Sequence, residues 1–192
     1  IGIYSLAMST TSFNYCTIEY AGYDVSYGSF YVGNNVSPKL NNCIIKYSGC
    51  AGIELSSNGS FSQFSNNTVS DCNGYPIRIH PDYVRTIGTG NTFTNNTNNA
   101  IFVWGGAVTT TGTWVNHGVP YVIESDIDIG SSANNPVLTI ASGNTIKLQA
   151  QTEFYVGWSG PGGLIADGTS GQITFTSSIQ PPSAGDYDRI SF

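Results

Sequence analysis

Charge is scarce in this sequence: Asp, Glu, Lys and Arg together make up 9% of its 192 residues, twelve acidic and six basic. The basic residues are spread from Lys39 to Arg189 under a net charge of −6, which leaves no patch for a phosphate backbone. Nucleic acid is therefore not an expected partner. Long apolar runs are missing too, and none approaches the ~18 residues that a membrane-spanning helix needs. No segment keeps a helical period of 3.6 over a useful length. There is no Cys-x-x-Cys pair and there are two histidines, His80 and His117, so zinc is a poor fit and no cofactor is expected. The first residue is Ile1 rather than Met, which reads as a processed chain or a piece of a longer one.

What the sequence has is a long repeat. Ile53, Ile77 and Ile101 recur at one even interval, Leu55, Ile79 and Val103 keep the same interval, and so do Ile45, Val69 and Phe93. Three columns agreeing on one period of about 24 residues mean a solenoid. Inside each repeat the spacing is two, as in GIEL, PIRI and AIFV, with turns of Asn, Gly and Ser between such segments. Coils of short strands that stack about 4.8 Å apart make a parallel β-helix, an all-β fold. Phe30 and Val32 join the first columns one coil before Ile53 and Leu55, and Ile18 lies one slightly longer coil before Ile45. A third wall is less regular, with Leu40 and Phe64 one coil apart and Ile87 taking the inward role next to Gly88. After the Thr- and Gly-rich connection over 109–120, wider coils are expected, from Ile127 to Phe154, Leu138 to Leu164 and Ile146 to Ile173. The chain reads as a single β-helix over 1–192, with a phase change near 109–120 and roughly seven coils of about 24–27 residues.

The ordered motifs LTIASGNTIKL, GLIADGTSGQITFTSS and AGDYDRISF, with SFNYCTIEYAG at the other end, resemble the extracellular right-handed β-helix repeat proteins of the pectate-lyase-like superfamily. Tyr187 stands where the last motif usually has Trp. The resemblance implies a right-handed solenoid at the cell surface or outside the cell. It is weak for function, since the superfamily includes lyases, hydrolases, adhesins and structural fibres. The paired-Asp, G-H-G and R-I-K motifs of polygalacturonase-like members do not occur, and the chain is expected to belong to the non-enzymatic branch.

One outward face nonetheless carries chemistry. With Ile53, Ile77 and Ile101 inward, Tyr31, Glu54, Arg78 and Phe102 align outward, and His80 and Trp104 fall in the next column. Aromatic faces stack on sugar rings and Arg forks onto carboxylates, so this face is the alternative carbohydrate-binding or polysaccharide-degrading site. A plain Glu54–Arg78 ladder pair on an exposed sheet is the structural explanation. Glu124, Asp126 and Asp128 alternate in ESDIDIG and are weak candidates for holding a hard cation from one strand face. Asp186 and Asp188 repeat that pattern as a solvated face.

Cys16 and Cys43 keep the same interval as Ile18 and Ile45, and stacked Cα atoms fall within disulfide range. Cys50 and Cys72 are slightly less than one coil apart and both follow a strand. In an oxidising location the expected pairs are Cys16–Cys43 and Cys50–Cys72, with four buried thiols as the alternative. The N-x-S/T triplets at Asn35, Asn58, Asn66 and Asn95 are no more than chance predicts. Asn66 is expected to form an inward asparagine ladder with Asn42.

The leading functional expectation is a structural or surface rod that assembles with copies of itself, head to tail. IGIYSLAM and RISF carry neither a capping helix nor a run of charge, and AGDYDRISF is the motif that SFNYCTIEYAG normally follows. The expected contact joins Ile1, Ile3 and Tyr4 of one copy to Ile190 and Phe192 of the next.

Overall fold

The computed structural model describes residues 1–8, 10–23 and 27–192. Every strand pairing in it is parallel, and the strands form five sheets. The long sheet has eight strands, Gly2–Ile3, Phe30–Val32, Ile53–Leu55, Ile77–Ile79, Ile101–Val103, Tyr121–Ile123, Thr145–Leu148 and Thr174–Ser177. The chain is a parallel β-solenoid of about seven turns, with this sheet as its continuous wall.

The other walls change along the axis. In the first half they are the strands Ser12–Asn14, Lys39–Asn41 and Gln63–Ser65, and the strands Thr17–Glu19, Ile44–Lys46, Thr68–Ser70 and Thr92–Thr94. In the second half they are Gly106–Val108, Ile127–Ile129, Phe154–Val156 and Ile190–Ser191, and Gly112–Trp114, Val137–Ile140 and Gly163–Ala166. A 3-10 helix, Pro81–Thr86, stands at the changeover. The change of walls thus begins before 109–120. The stretch read as a connection contains the strand Gly112–Trp114, whose Trp114 is fully buried.

The expected columns hold. Ile77 pairs with Ile53 and Ile101, Ile45 with Ile18 and Val69, and Phe64 with Leu40. Ile53, Leu55, Ile77, Ile79, Ile101 and Val103 are buried, and Ile87 is inward as expected. Truncating one of these isoleucines to Ala removes contacts on both neighbouring coils, a loss of about 2–5 kcal/mol. One register differs: Ile146 pairs with Phe175, not Ile173. The coil from Ile146 to Phe175 is longer than the one before it, from Tyr121 to Ile146, because turns on the solenoid surface absorb extra residues without disturbing the strands.

The first-half corners explain the asparagines. Asn42 and Asn66 hold left-handed backbone (φ 54° and 57°) in line with Tyr15 and Gly90, so they turn the chain and do not line the core. The buried ladder is one residue later: Asn67 Oδ1 accepts the Cys43 N–H (2.9 Å), and Asn91 Oδ1 accepts the Asn67 N–H (3.0 Å). The inward asparagine ladder expected at Asn42 and Asn66 therefore exists at Asn67 and Asn91.

The cysteines belong to the same system. All four are free thiols in place of the expected pairs. The sulfurs of Cys16, Cys43 and Cys72 each reach the carbonyl two residues back, at 3.5, 3.1 and 3.3 Å. The Cys16 N–H donates to Cys43 Sγ (3.4 Å), so these two share a column as the spacing required. Cys72 does not share one with Cys50: its N–H donates to Asn96 Oδ1 (3.1 Å), while Cys50 Sγ reaches the Tyr27 carbonyl (2.8 Å).

Candidate functional site

The long sheet presents Tyr31, Glu54, Arg78 and Phe102 outward in register, and the column continues through Val122 and Lys147. Outward here does not mean exposed. Glu54 is 6% exposed and Phe102 likewise 6%, and Tyr75 and Trp104 pack against Phe102. The Glu54–Arg78 pair exists as the ladder geometry requires, with Arg78 NH1 3.2 Å from Glu54 Oε2, but its carboxylate is buried and its guanidinium is partly covered. The Arg78 guanidinium lies over the Trp104 ring at 4.2 Å and near the Phe102 ring at 5.3 Å. Ion pair and ring stacking together fix its orientation.

Burial dominates the charge state of this pair. It pushes the Glu54 carboxyl up to about 7 against the opposing pull of the Arg78 charge. Glu54 Oε2 faces Arg78 NH1, whereas Ser56 Oγ is, among the described residues, buried without a partner. Glu54 and Ser56 line an open cavity of about 330 Å³, together with Tyr27, Tyr31, His80 and Trp104. The Tyr27 and Tyr31 rings meet edge to face at 4.9 Å, and Tyr4 leans on Tyr31 at 5.8 Å. A second cavity of about 250 Å³ flanks the column on the other side, against Tyr75, Arg78 and Phe102.

His80 is held from outside the sheet. As N-cap of the 3-10 helix its Nδ1 accepts the Asp82 N–H (3.3 Å), which leaves the ring hydrogen of the neutral form on Nε2. Burial lowers its pKa, with Asp82 opposing. The Asp82 carboxylate is itself committed to the Thr109 and Thr110 amides, at 2.8 and 2.9 Å, and to their hydroxyls. Gly106 makes room for the imidazole: a Cβ there would meet His80 Nε2 at 2.5 Å, and its φ of +140° suits glycine.

All six residues expected on this face, Tyr31, Glu54, Arg78, His80, Phe102 and Trp104, come together. Tyr27 and Tyr75 were missed. They stand in turns before strands, outside the two-residue alternation, and an aromatic just ahead of a core strand is the only signal they leave.

The acidic residues of ESDIDIG do not lie on one strand. Glu124 and Asp126 lie in the turn between Tyr121–Ile123 and Ile127–Ile129, and Asp128 alone is on a strand. Asp126 Oδ1 accepts the Glu153 N–H (2.9 Å), a structural duty. Among the described residues no three His, Cys, Asp or Glu side chains are grouped to hold a metal ion. The sequence expectation took one strand where the chain turns a corner.

The residues of the expected head-to-tail contact lie at opposite ends of the described stack. Ile1, Tyr4 and Phe192 are exposed, Ile190 is half-buried and Ile3 is in the core. Among the described residues no helix is long and apolar enough to cross a membrane. In comparisons with known proteins, the family described as the right-handed beta helix region matches residues 1–115. Comparison with curated proteins and with solved structures returned no match.

Proposed function

The chain belongs to the right-handed β-helix family, and from that fold and the long-sheet cavity we propose that it is a solenoid that binds a saccharide there without turning it over. The observation that carries this reading is Ser56 Oγ, which among the described residues is buried without a partner, beside the ion-paired Glu54 carboxylate in a cavity lined by aromatic rings. A buried polar atom without a partner costs about 1–3 kcal/mol, and sugar hydroxyls are suited to supplying partners. Tyr31 and Trp104 offer ring faces and edges to the apolar side of a pyranose, and His80 Nε2–H is a further donor. An uncharged saccharide is favoured over a sugar acid, because Arg78 is already committed to Glu54 and Trp104. Binding without turnover is favoured because, among the described residues, Glu54 is the one carboxylate lining the cavity, whereas glycoside hydrolysis commonly uses two, about 5–10 Å apart. A cell-surface or extracellular location is where this function would be exercised.

Titration calorimetry of the 192-residue chain against neutral hexasaccharides and their uronate counterparts tests the reading, with product analysis alongside. The expected result is binding of a neutral hexasaccharide that Trp104→Ala abolishes, with no new reducing or unsaturated ends. No binding to any neutral hexasaccharide contradicts it, and new ends in the product analysis contradict the claim of binding without turnover.

A second reading is a structural rod that lengthens by stacking further coils. It draws on the outer edges of Gly2–Ile3 and Thr174–Ser177, which have no strand partner among the described residues, and on the exposed Leu6, Met8, Ile165 and Phe192. Light scattering at rising concentration tests self-stacking: axial polymers support it, and a monodisperse monomer at high concentration contradicts it.

A further inference from the structure

The second half of the solenoid carries a group of residues that repeats the composition of the long-sheet site on a different wall. Tyr155 points outward from Phe154–Val156, and Trp158 follows on the next turn, 79% exposed, with ring centroids 5.5 Å apart at 41°. Beside them Glu153 is 6% exposed, its carboxylate accepting from Ser191 Oγ (2.5 Å). These residues and Phe192 line a cavity of about 530 Å³.

The long-sheet site shows what such a group holds. There a Trp–Phe pair, Trp104 and Phe102 with centroids 4.9 Å apart, and the buried Glu54 hold one cation between them, the Arg78 guanidinium. At the second group the nearby cation, Arg189, is not over either ring. It is 63% exposed, 3.5 Å from Glu153 Oε2, and its NH2 is drawn to Asp188 Oδ2 at 2.9 Å. Among the described residues no cation stacks on Tyr155 or Trp158.

We infer that the Tyr155–Trp158 corner is a binding site for a guanidinium or alkylammonium group of a ligand, seated on Trp158 and facing the Glu153 carboxylate. Ring faces carry negative potential and attract such cations most when a carboxylate is near. The surroundings agree. Burial, and after it the negative charges of Asp126, Glu153 and Asp188, hold the Tyr155 phenol above its ordinary range, so the local field is negative. The chain's net charge of −6 adds a long-range attraction for cations. This site is on a separate wall from the saccharide cavity and does not rest on that reading.

The test is titration calorimetry of the 192-residue chain with methylguanidinium chloride, tetramethylammonium chloride and the neutral isostere N-methylurea. The two cations are expected to bind and N-methylurea is not. Trp158→Leu, which alters an exposed side chain, is expected to weaken cation binding about tenfold. Arg189→Gln removes the internal competitor for Glu153 and is expected to tighten binding several-fold. Circular dichroism of each variant reports that the fold is kept. Equal heats from N-methylurea, unchanged affinity in Trp158→Leu, or weaker binding in Arg189→Gln would each overturn the assignment.

Discussion

Two groups of Trp, Glu and Arg lie on different walls of this solenoid, and they differ in where the cation sits. On the long sheet, Arg78 is packed between Glu54 and the Trp104 ring, its side chain 25% exposed. On the second-half wall, Arg189 is 63% exposed and reaches past the rings to Asp188. The difference follows from register. Glu54 and Arg78 are direct partners on adjacent strands, so the ladder itself holds them together, and Phe102 one coil later covers them. Glu153 and Arg189 each immediately precede a strand, where the turn, not the ladder, sets the side chain's direction. Stacked strands can thus bury an ion pair on a sheet's outer face, while the turns leave comparable residues open to ligand.

Removing each arginine breaks the comparison most directly. Arg78→Ala strands a buried carboxylate, and thermal or urea unfolding at pH 8 is expected to show a loss of about 3 kcal/mol. At pH 5 the loss shrinks, since Glu54 can take up a proton. Arg189→Ala removes an exposed side chain, and its partner Glu153 keeps the Ser191 hydroxyl, so at pH 8 it is expected to cost clearly less than Arg78→Ala. Equal losses at pH 8 would contradict the contrast.

A smaller effect separates the ladder from its corner. Asn67→Ala leaves the Cys43 N–H and the Leu40 carbonyl without side-chain partners, for an expected loss of about 2 kcal/mol. Asn66→Ala gives up only ease in the left-handed region, about 1 kcal/mol. A larger loss at Asn66 than at Asn67 would put the ladder back where the sequence suggested.

The pH dependence of stability sharpens the same picture with opposite signs. Glu54 titrates at about 7 in the fold against an ordinary 4.5, so its contribution is fully present below about 4.5 and lost as pH rises through 7. His117 is half-buried edge-on against Phe93, and that burial alone lowers its pKa to about 4. Its contribution is present above 6.5 and lost as pH falls through 4. Glu54→Gln is therefore expected to remove the fall in stability between pH 4.5 and 7, leaving the His117 rise. A Glu54→Gln variant whose stability still falls over that window would refute the assignment.

The smallest expected change concerns the thiols. Cys43, Cys50 and Cys72 are buried and Cys16 is partly so, and burial raises the pKa of Cys43 and Cys72. Alkylation of the native chain under reducing conditions is expected to reach Cys16 first and the other three only on unfolding.

What the sequence made legible was whatever repeats. The inward columns at Ile53, Ile77 and Ile101 and the outward register of Tyr31, Glu54, Arg78 and Phe102 follow from one period and one alternation, because stacking superposes like positions. What it hid depends on corners. Asn66 and Asn67 are both asparagine, and only the left-handed backbone at the first tells the turn from the ladder. ESDIDIG looks like one strand, yet the chain turns at Glu124–Asp126 and separates the carboxylates. The cover on the outer column was hidden in part too, since Tyr75 packs on Phe102 from a turn outside the alternation.

The central claim is that the long-sheet cavity holds a saccharide. The most direct test is a crystal structure of the chain with a neutral hexasaccharide that it binds in solution. The account predicts sugar density between Tyr31 and Trp104, with hydroxyls within hydrogen-bond distance of Ser56 Oγ and Glu54 Oε2. Sugar bound on another wall, with this cavity empty, would contradict it.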